Sequence, residues 1–191
     1  KNYLRQYYYV GGMPEVVKYY AQTKEIFHVR EIQNRILLNY RQDFSKHIPG
    51  NLLTKVNLVW DSVPAQLAKE NKKFIYGMLK KGGRAKEFED AIQWLVDAGL
   101  VFRVNRINKV CMPLKFYEEF NAFKLYLLDL GLLGAMVDAP AKNILIGDNV
   151  FKEYKGAFTE QYVAQQIVAC NVTPKYYNNE KLYSDDSRQK V

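Results

Sequence analysis

The sequence predicts an α+β protein, mainly helical, with a helical N-terminal region, a middle of two short helices and a β-rich hairpin, and an α/β end. Three observations predict it. Apolar residues recur at spacings of three and four through the first third of the chain. A helix, turn, helix and β-branched segment then follow in close succession, and past residue 113 strand-like and helix-like runs alternate.

Gly11-Gly12-Met13-Pro14 is a turn with Pro at a first helical position, so a short helix starts at EVVKYYA. Val29, Ile32, Ile36, Tyr40 and Phe44 fall on one face of the next helix. Pro49-Gly50 breaks the chain. Leu52, Val56, Val59 and Val63 then form a second face, which Pro64 is expected to end, leaving Ala65 to Lys69 as a separate short helix. Gly82-Gly83 is a turn, and Phe88, Ile92 and Leu95 line a helix that stops at Gly99.

LVFRVNRI at 100–107 has strand composition, and Asn105 to Asn108 is expected to turn it back toward VCMPL. The run FKLYLLDLGLL at 123–133 fits a strand buried on both faces, with a helix as the competing reading. Phe158, Tyr162, Gln166 and Cys170 suggest a helix from about Thr159 to Ala169. KYY at 175–177 and KLYS at 181–184 flank Asn178-Asn179 as a hairpin, and a last strand would begin at Gln189.

Composition bounds what such a chain can do. Of 191 residues, 48% are apolar, 14% aromatic and 25% charged, which is enough to build a packed core. No run reaches the roughly 20 apolar residues of a membrane helix, and KNYLRQYYYV is not ordered like a secretory signal. The two cysteines, Cys111 and Cys170, are far apart and read as small buried hydrophobes in a reducing, cytoplasmic setting. The start on Lys1 and the stop on Val191, with no cap behind it, read as a piece of something longer.

The formal charge of +8 is concentrated. Lys69, Lys72, Lys73, Lys80, Lys81, Arg84 and Lys86 face one acid, Glu70, in the window 69–86, a net of +6. Within it Gly82-Gly83-Arg84 precedes a helix whose first N–H groups could hold a phosphate. Duplex nucleic acid is therefore the expected partner, with Lys80, Lys81, Arg84 and Lys86 as the binding residues. A solvated lysine-rich surface is the competing reading.

Other chemistry is thin. Asp43 and His47 share a helix face but have no third ligand, and His28 is isolated. No GxxxxGK[ST] occurs, so these residues hold no P-loop, and no cofactor is expected in them. Glu160 is a weak candidate for a peripheral metal carboxylate. Asp185-Asp186 reads as turn chemistry.

The blocks GGMPEVV (11–17), DFSKH (43–47), VWDSVPAQLAKENKKFIY (59–76), GGRAKEFEDAIQWLVDAGLV (82–101), AFKLYLLDLGLL (122–133), GAFTEQYV (156–163) and SDDSRQKV (184–191) run in that order through nearly the whole chain. Together they resemble the carboxy-terminal domain of unknown function that follows the P-loop core in a large prokaryotic family of AAA-type ATPases. The resemblance implies three parts: a helical region at 1–50 after an absent ATPase core, a winged-helix-like module at 51–112, and a partial, truncated restriction-endonuclease-like module at 113–191. It implies that ATP and Mg²⁺ belong to the upstream core. Glu160 matches that family's helix glutamate, while the acidic strand that would follow Val191 is absent from these residues.

The expected function is accordingly a non-catalytic accessory region of such an ATPase that binds nucleic acid through the basic module. The alternative is a protein-interaction module that docks on its own ATPase core or forms a homo-oligomer through its aromatic surface. A remnant of a metal-dependent nuclease ranks third.

Overall fold

The computed structural model describes residues 2–69, 73–146 and 149–177. Its elements are α1 (Asn2–Val10), α2 (Pro14–Thr23), α3 (Phe27–His47), α4 (Gly50–Ala68), a 3-10 turn (Tyr76–Met78), α5 (Ala85–Asp97), β1 (Val101–Ile107), a second 3-10 turn (Leu114–Tyr117), β2 (Glu118–Leu127), α6 (Leu130–Met136), α7 (Ala141–Ile146), α8 (Asn149–Ala169) and β3 (Lys175–Tyr177). The mainly helical α+β class is therefore correct.

Helix α3 buries Val29, Ile32, Ile36 and Phe44, four of the five residues that its apolar period selects. Tyr40, the fifth, meets the face of Trp60 on α4 edge-on at 6.2 Å, and Phe44 does the same at 5.7 Å. Phe44 also packs edge-on against Trp94 of α5 at 5.5 Å, so one aromatic group joins three helices.

Pro64 does not end α4. The helix continues through it to Ala68, and the separate helix expected at 65–69 is its last turn. A proline inside a helix costs roughly 3 kcal/mol. Here Val56, Val59, Trp60 and Val63 are fully buried before or at that point and Leu67 is buried beyond it, so breaking the helix would forfeit apolar burial worth more.

The run at 123–133 is neither one strand nor one helix. Strand β2 carries it to Leu127, and α6 begins at Leu130. The switch is made by Asp129, whose carboxylate accepts the Leu132 N–H at 3.0 Å and so caps α6. Its other oxygen accepts the Gly12 N–H at 2.6 Å, which docks the α1–α2 turn against the start of α6.

This junction is crowded. Gly11 lies at φ +74°, and a Cβ on it would collide with Asp129 Oδ1 and stand 2.8 Å from Gly131 N. Gln33, buried on α3, donates to the carbonyls of Tyr9 and Val10 at 2.9 and 3.0 Å and accepts from Arg30 at 2.8 Å. Arg30 reaches on to the carbonyls of Gly131 and Ala139. Gln165 of α8 accepts the Leu130 N–H at 3.0 Å and donates to the Tyr7 hydroxyl. Burial pushes the Asp129 carboxyl above its ordinary value, and the backbone N–H groups aimed at it oppose that shift.

The sheet has order β2-β1-β3. Strands β1 and β2 are antiparallel, from Val101 opposite Leu127 to Ile107 opposite Glu118, with an irregularity after Asn105. The return strand thus starts at Glu118 and not in VCMPL, which leaves 108–117 as a long tip. Strand β3 pairs parallel with β1, Asn105 opposite Lys175. The second half of the hairpin expected at 175–184, the strand expected at 189 and Asp185-Asp186 lie outside the described residues. Helix α1 has no counterpart in the sequence reading, and α8 starts ten residues before the expected Thr159. Neither cysteine is a core residue: Cys111 is half-buried in the tip, and Cys170 is exposed just past α8.

Candidate nucleic-acid interface

The basic window turns on the segment between the first 3-10 turn and α5. Gly83 donates to the Lys80 carbonyl at 2.8 Å, closing a tight turn. A Cβ on Gly83 would stand 2.7 Å from the Tyr76 carbonyl, so that position has no room for a side chain. The Gly83 N–H is consumed by the turn and cannot serve a phosphate. The backbone donors left over begin two residues later: as the first two residues of α5, Ala85 and Lys86 have N–H groups with no acceptor inside the helix.

Arg84 is the N-cap residue of α5, in an extended conformation and without a side-chain cap, and Lys86 sits in the first turn. Lys80, Lys81, Arg84 and Lys86 are all exposed. Lys80 faces Glu87 at 3.8 Å, whereas Lys81, Arg84 and Lys86 make no ion pair among the described residues. Two cations at the positive end of a helix oppose its macrodipole; a bound anion would turn that opposition into attraction. The charge window ends just before Glu87, Glu89 and Asp90. Glu89 is already engaged, by Arg103 and by the Tyr76 hydroxyl at 3.1 Å. Burial, with Glu89 beside it, pushes Tyr76 up to about 12.

The Arg103–Glu89 pair also fixes how α5 lies on the sheet. The chain leaves α5, turns at Gly99 (φ +69°) and enters β1. Tyr76, before α5, packs on Phe88 of α5 and on Phe123, which lies opposite Asn105 near the far end of β1, so the turn before α5 and the tip after β1 lie toward the same end of this module. Arg103 stacks over Phe123 at 3.9 Å, and Phe74 and Tyr76 pack on the same ring, which ties the 3-10 turn to β2.

The tip carries Lys109 and Lys115, both exposed, and no acid between residues 108 and 117. At its root the carboxylates are taken: Glu118 pairs with Lys175 at 2.8 Å and accepts from Asn105 at 2.9 Å, and Glu119 pairs with Arg106. The hydrogen bond from Asn105, followed by Lys175, holds the Glu118 carboxyl below its ordinary value. The sequence reading misses the tip because it takes VCMPL as the return strand.

Glu160 lies on α8 over the other side of the sheet. One of its oxygens accepts from Lys124 at 2.8 Å and from the Tyr126 hydroxyl at 3.2 Å. Lys124 in turn lies over the Tyr176 ring at 5.5 Å. No second carboxylate joins it, and no group of three or more His, Cys, Asp or Glu converges among the described residues. Asp43 pairs with Lys46 at 3.6 Å and His28 with Glu31 at 2.8 Å.

Residues 1–143 match the model of a family described as a domain of unknown function, DUF8612. The chain belongs to that family. The DUF8612 match spans α1 to the first residues of α7, so it takes in the basic turn, the tip and the Asp129 junction, while Glu160 lies past its end. No curated protein and no solved structure matches the chain.

Proposed function

We propose that this DUF8612 chain is an accessory binding region that holds the backbone of nucleic acid, and that it serves an AAA-type P-loop ATPase. The observation that carries the binding reading is the exposed set Lys81, Arg84 and Lys86 around the start of α5, which makes no ion pair among the described residues, with Lys80 beside it. Lys109 and Lys115 at the same end of the module extend the positive surface. Such a set contacts phosphates and reads no base, so affinity should be indifferent to sequence and steep in salt. The helix, turn, helix and hairpin order of α4, α5, β1 and β2 supports a winged-helix-like placement of that surface. The tie to an ATPase rests on the resemblance of the blocks at 11–17, 59–76, 82–101 and 122–133. Glu160, held by Lys124 and Tyr126, favours a binding role over a nuclease-like one.

Fluorescence anisotropy of labelled duplexes of unrelated sequence tests the reading. Equal affinities and a log–log salt slope of about −3 or steeper, at about −0.9 per phosphate contact, are expected. Self-association without any binding to the duplexes would replace it with the docking alternative.

A further inference from the structure

The tip between β1 and β2 exposes more than charge. Val110, Met112 and Phe116 on the tip and Phe120 at the start of β2 are 67%, 79%, 82% and 74% exposed, four large apolar side chains within eleven residues. The backbone of the tip is braced: the Asn108 N–H donates to the Tyr117 carbonyl at 2.9 Å, the Phe116 N–H donates to the Pro113 carbonyl at 3.1 Å, and Leu114–Tyr117 is a 3-10 turn. Four large apolar side chains exposed so close together in sequence on a braced loop signal a partner.

Two further features limit what that partner is. The tip's own charges are Lys109 and Lys115, with Glu118 and Glu119 neutralised at its root, so it favours an anionic occupant. It also stands at the same end of the module as Lys81, Arg84 and Lys86. A regular duplex offers phosphates to the lysines, but Phe116, Phe120 and Met112 reach its base faces only by unstacking a step at a cost of about a few kcal/mol. A duplex interrupted by unstacked bases offers both, since an uncovered base face stacks on an aromatic ring and apolar side chains wedge into open steps.

We propose that the 108–117 tip, with Phe120 at the start of β2, recognises a break in base stacking, and that the preferred ligand is a duplex carrying a bulge, mismatch or single-strand junction. This rests on the nucleic-acid reading above and adds its substrate class. Lys109 and Lys115 straddle the flanking phosphates while Phe116 and Phe120 supply the stacking surface.

The test compares a labelled blunt duplex with the same duplex carrying a short unpaired bulge, using the wild-type chain and the double variant Phe116→Ala/Phe120→Ala. Both phenylalanines are exposed, so the variant should fold, and circular dichroism checks that it does. The wild type should bind the bulged probe roughly tenfold more tightly, the scale of one stacked base. The variant should bind both probes alike, with the salt slope unchanged because no charge has been removed. Equal wild-type affinity for the two probes, or a preference that survives in the variant, would overturn the proposal while leaving backbone binding intact. Absence of binding to either probe would remove the nucleic-acid reading itself, and this proposal with it. In a parallel arm, tip-dependent binding to phosphatidylserine-containing vesicles without a bulge preference would overturn it in favour of a lipid surface.

Discussion

Gly11→Ala tests the junction on which the helical region is assembled. At φ +74° a residue with a Cβ pays about 1–2 kcal/mol for the left-handed conformation alone. The added Cβ would collide with Asp129 Oδ1, and Gly131 N stands 2.8 Å from it, so the buried carboxylate must move. Moving it weakens the 2.6 Å bond from Gly12, and a hydrogen bond to a charged group is worth about 1.5–3 kcal/mol. The expected loss is about 2.5–5 kcal/mol. Gly99→Ala is the control, because Gly99 has φ +69° but an added methyl there would meet nothing within 4 Å. It should lose about 1–2 kcal/mol, the conformational cost alone. Urea unfolding followed by circular dichroism measures both. Equal losses for the two variants would refute the claim that Asp129 locks the α1–α2 turn to α6.

Gln33→Ala should cost about 2–4 kcal/mol in the same assay, since it strips the Tyr9 and Val10 carbonyls of a buried donor; a loss under about 1 kcal/mol would contradict the bridging role. Glu118 has a folded pKa below its usual 4.5, so its contribution is complete above that value and is lost as pH falls through the folded pKa. Glu118→Gln should therefore be less stable at neutral pH by about 1–3 kcal/mol, with the gap to wild type closing in acid; a gap that widens in acid would reverse the sign. Glu160→Gln should leave duplex affinity within about twofold, because its carboxylate is held by Lys124 and Tyr126 away from the basic turn; a tenfold loss would place the interface on the wrong side of the sheet.

How much of the fold is legible in the sequence follows from how local each cause is. The apolar stripe of α3, the stop of α5 at Gly99 and the strand at 101–107 each arise from spacing or residue type within one segment, and the structure has all three. Pro64 misleads because its local rule is overridden by Val63 and Leu67, which are buried against other parts of the chain. The run at 123–133 has the same apolar content in strand and helix; Asp129, the N-cap that starts α6, is a local signal within it, and what no window of sequence contains is that its other oxygen meets Gly12 across the fold. Helix α1 hides in KNYLRQYYYV because Tyr8, Tyr9 and Val10 are buried in succession and so show no helical period. Within the candidate interface, the crowding of Lys80, Lys81, Arg84 and Lys86 is plain from charge alone. The convergence of the tip on the same end is not, since it depends on how α5 lies along β1, and the pairing of Lys80 with Glu87 depends on the turn that Gly83 closes onto Lys80.

The most direct measurement is the salt dependence of duplex binding by two variants of equal net charge. One is Lys81→Glu/Arg84→Glu/Lys86→Glu; the other reverses Lys18, Lys142 and Lys155, which are exposed on α2, α7 and α8. The first should flatten the log–log slope by about 2–3, in step with the phosphate contacts removed, while the second keeps the wild-type slope. Equal flattening by both would show that overall charge, and not the surface at the start of α5, draws the nucleic acid.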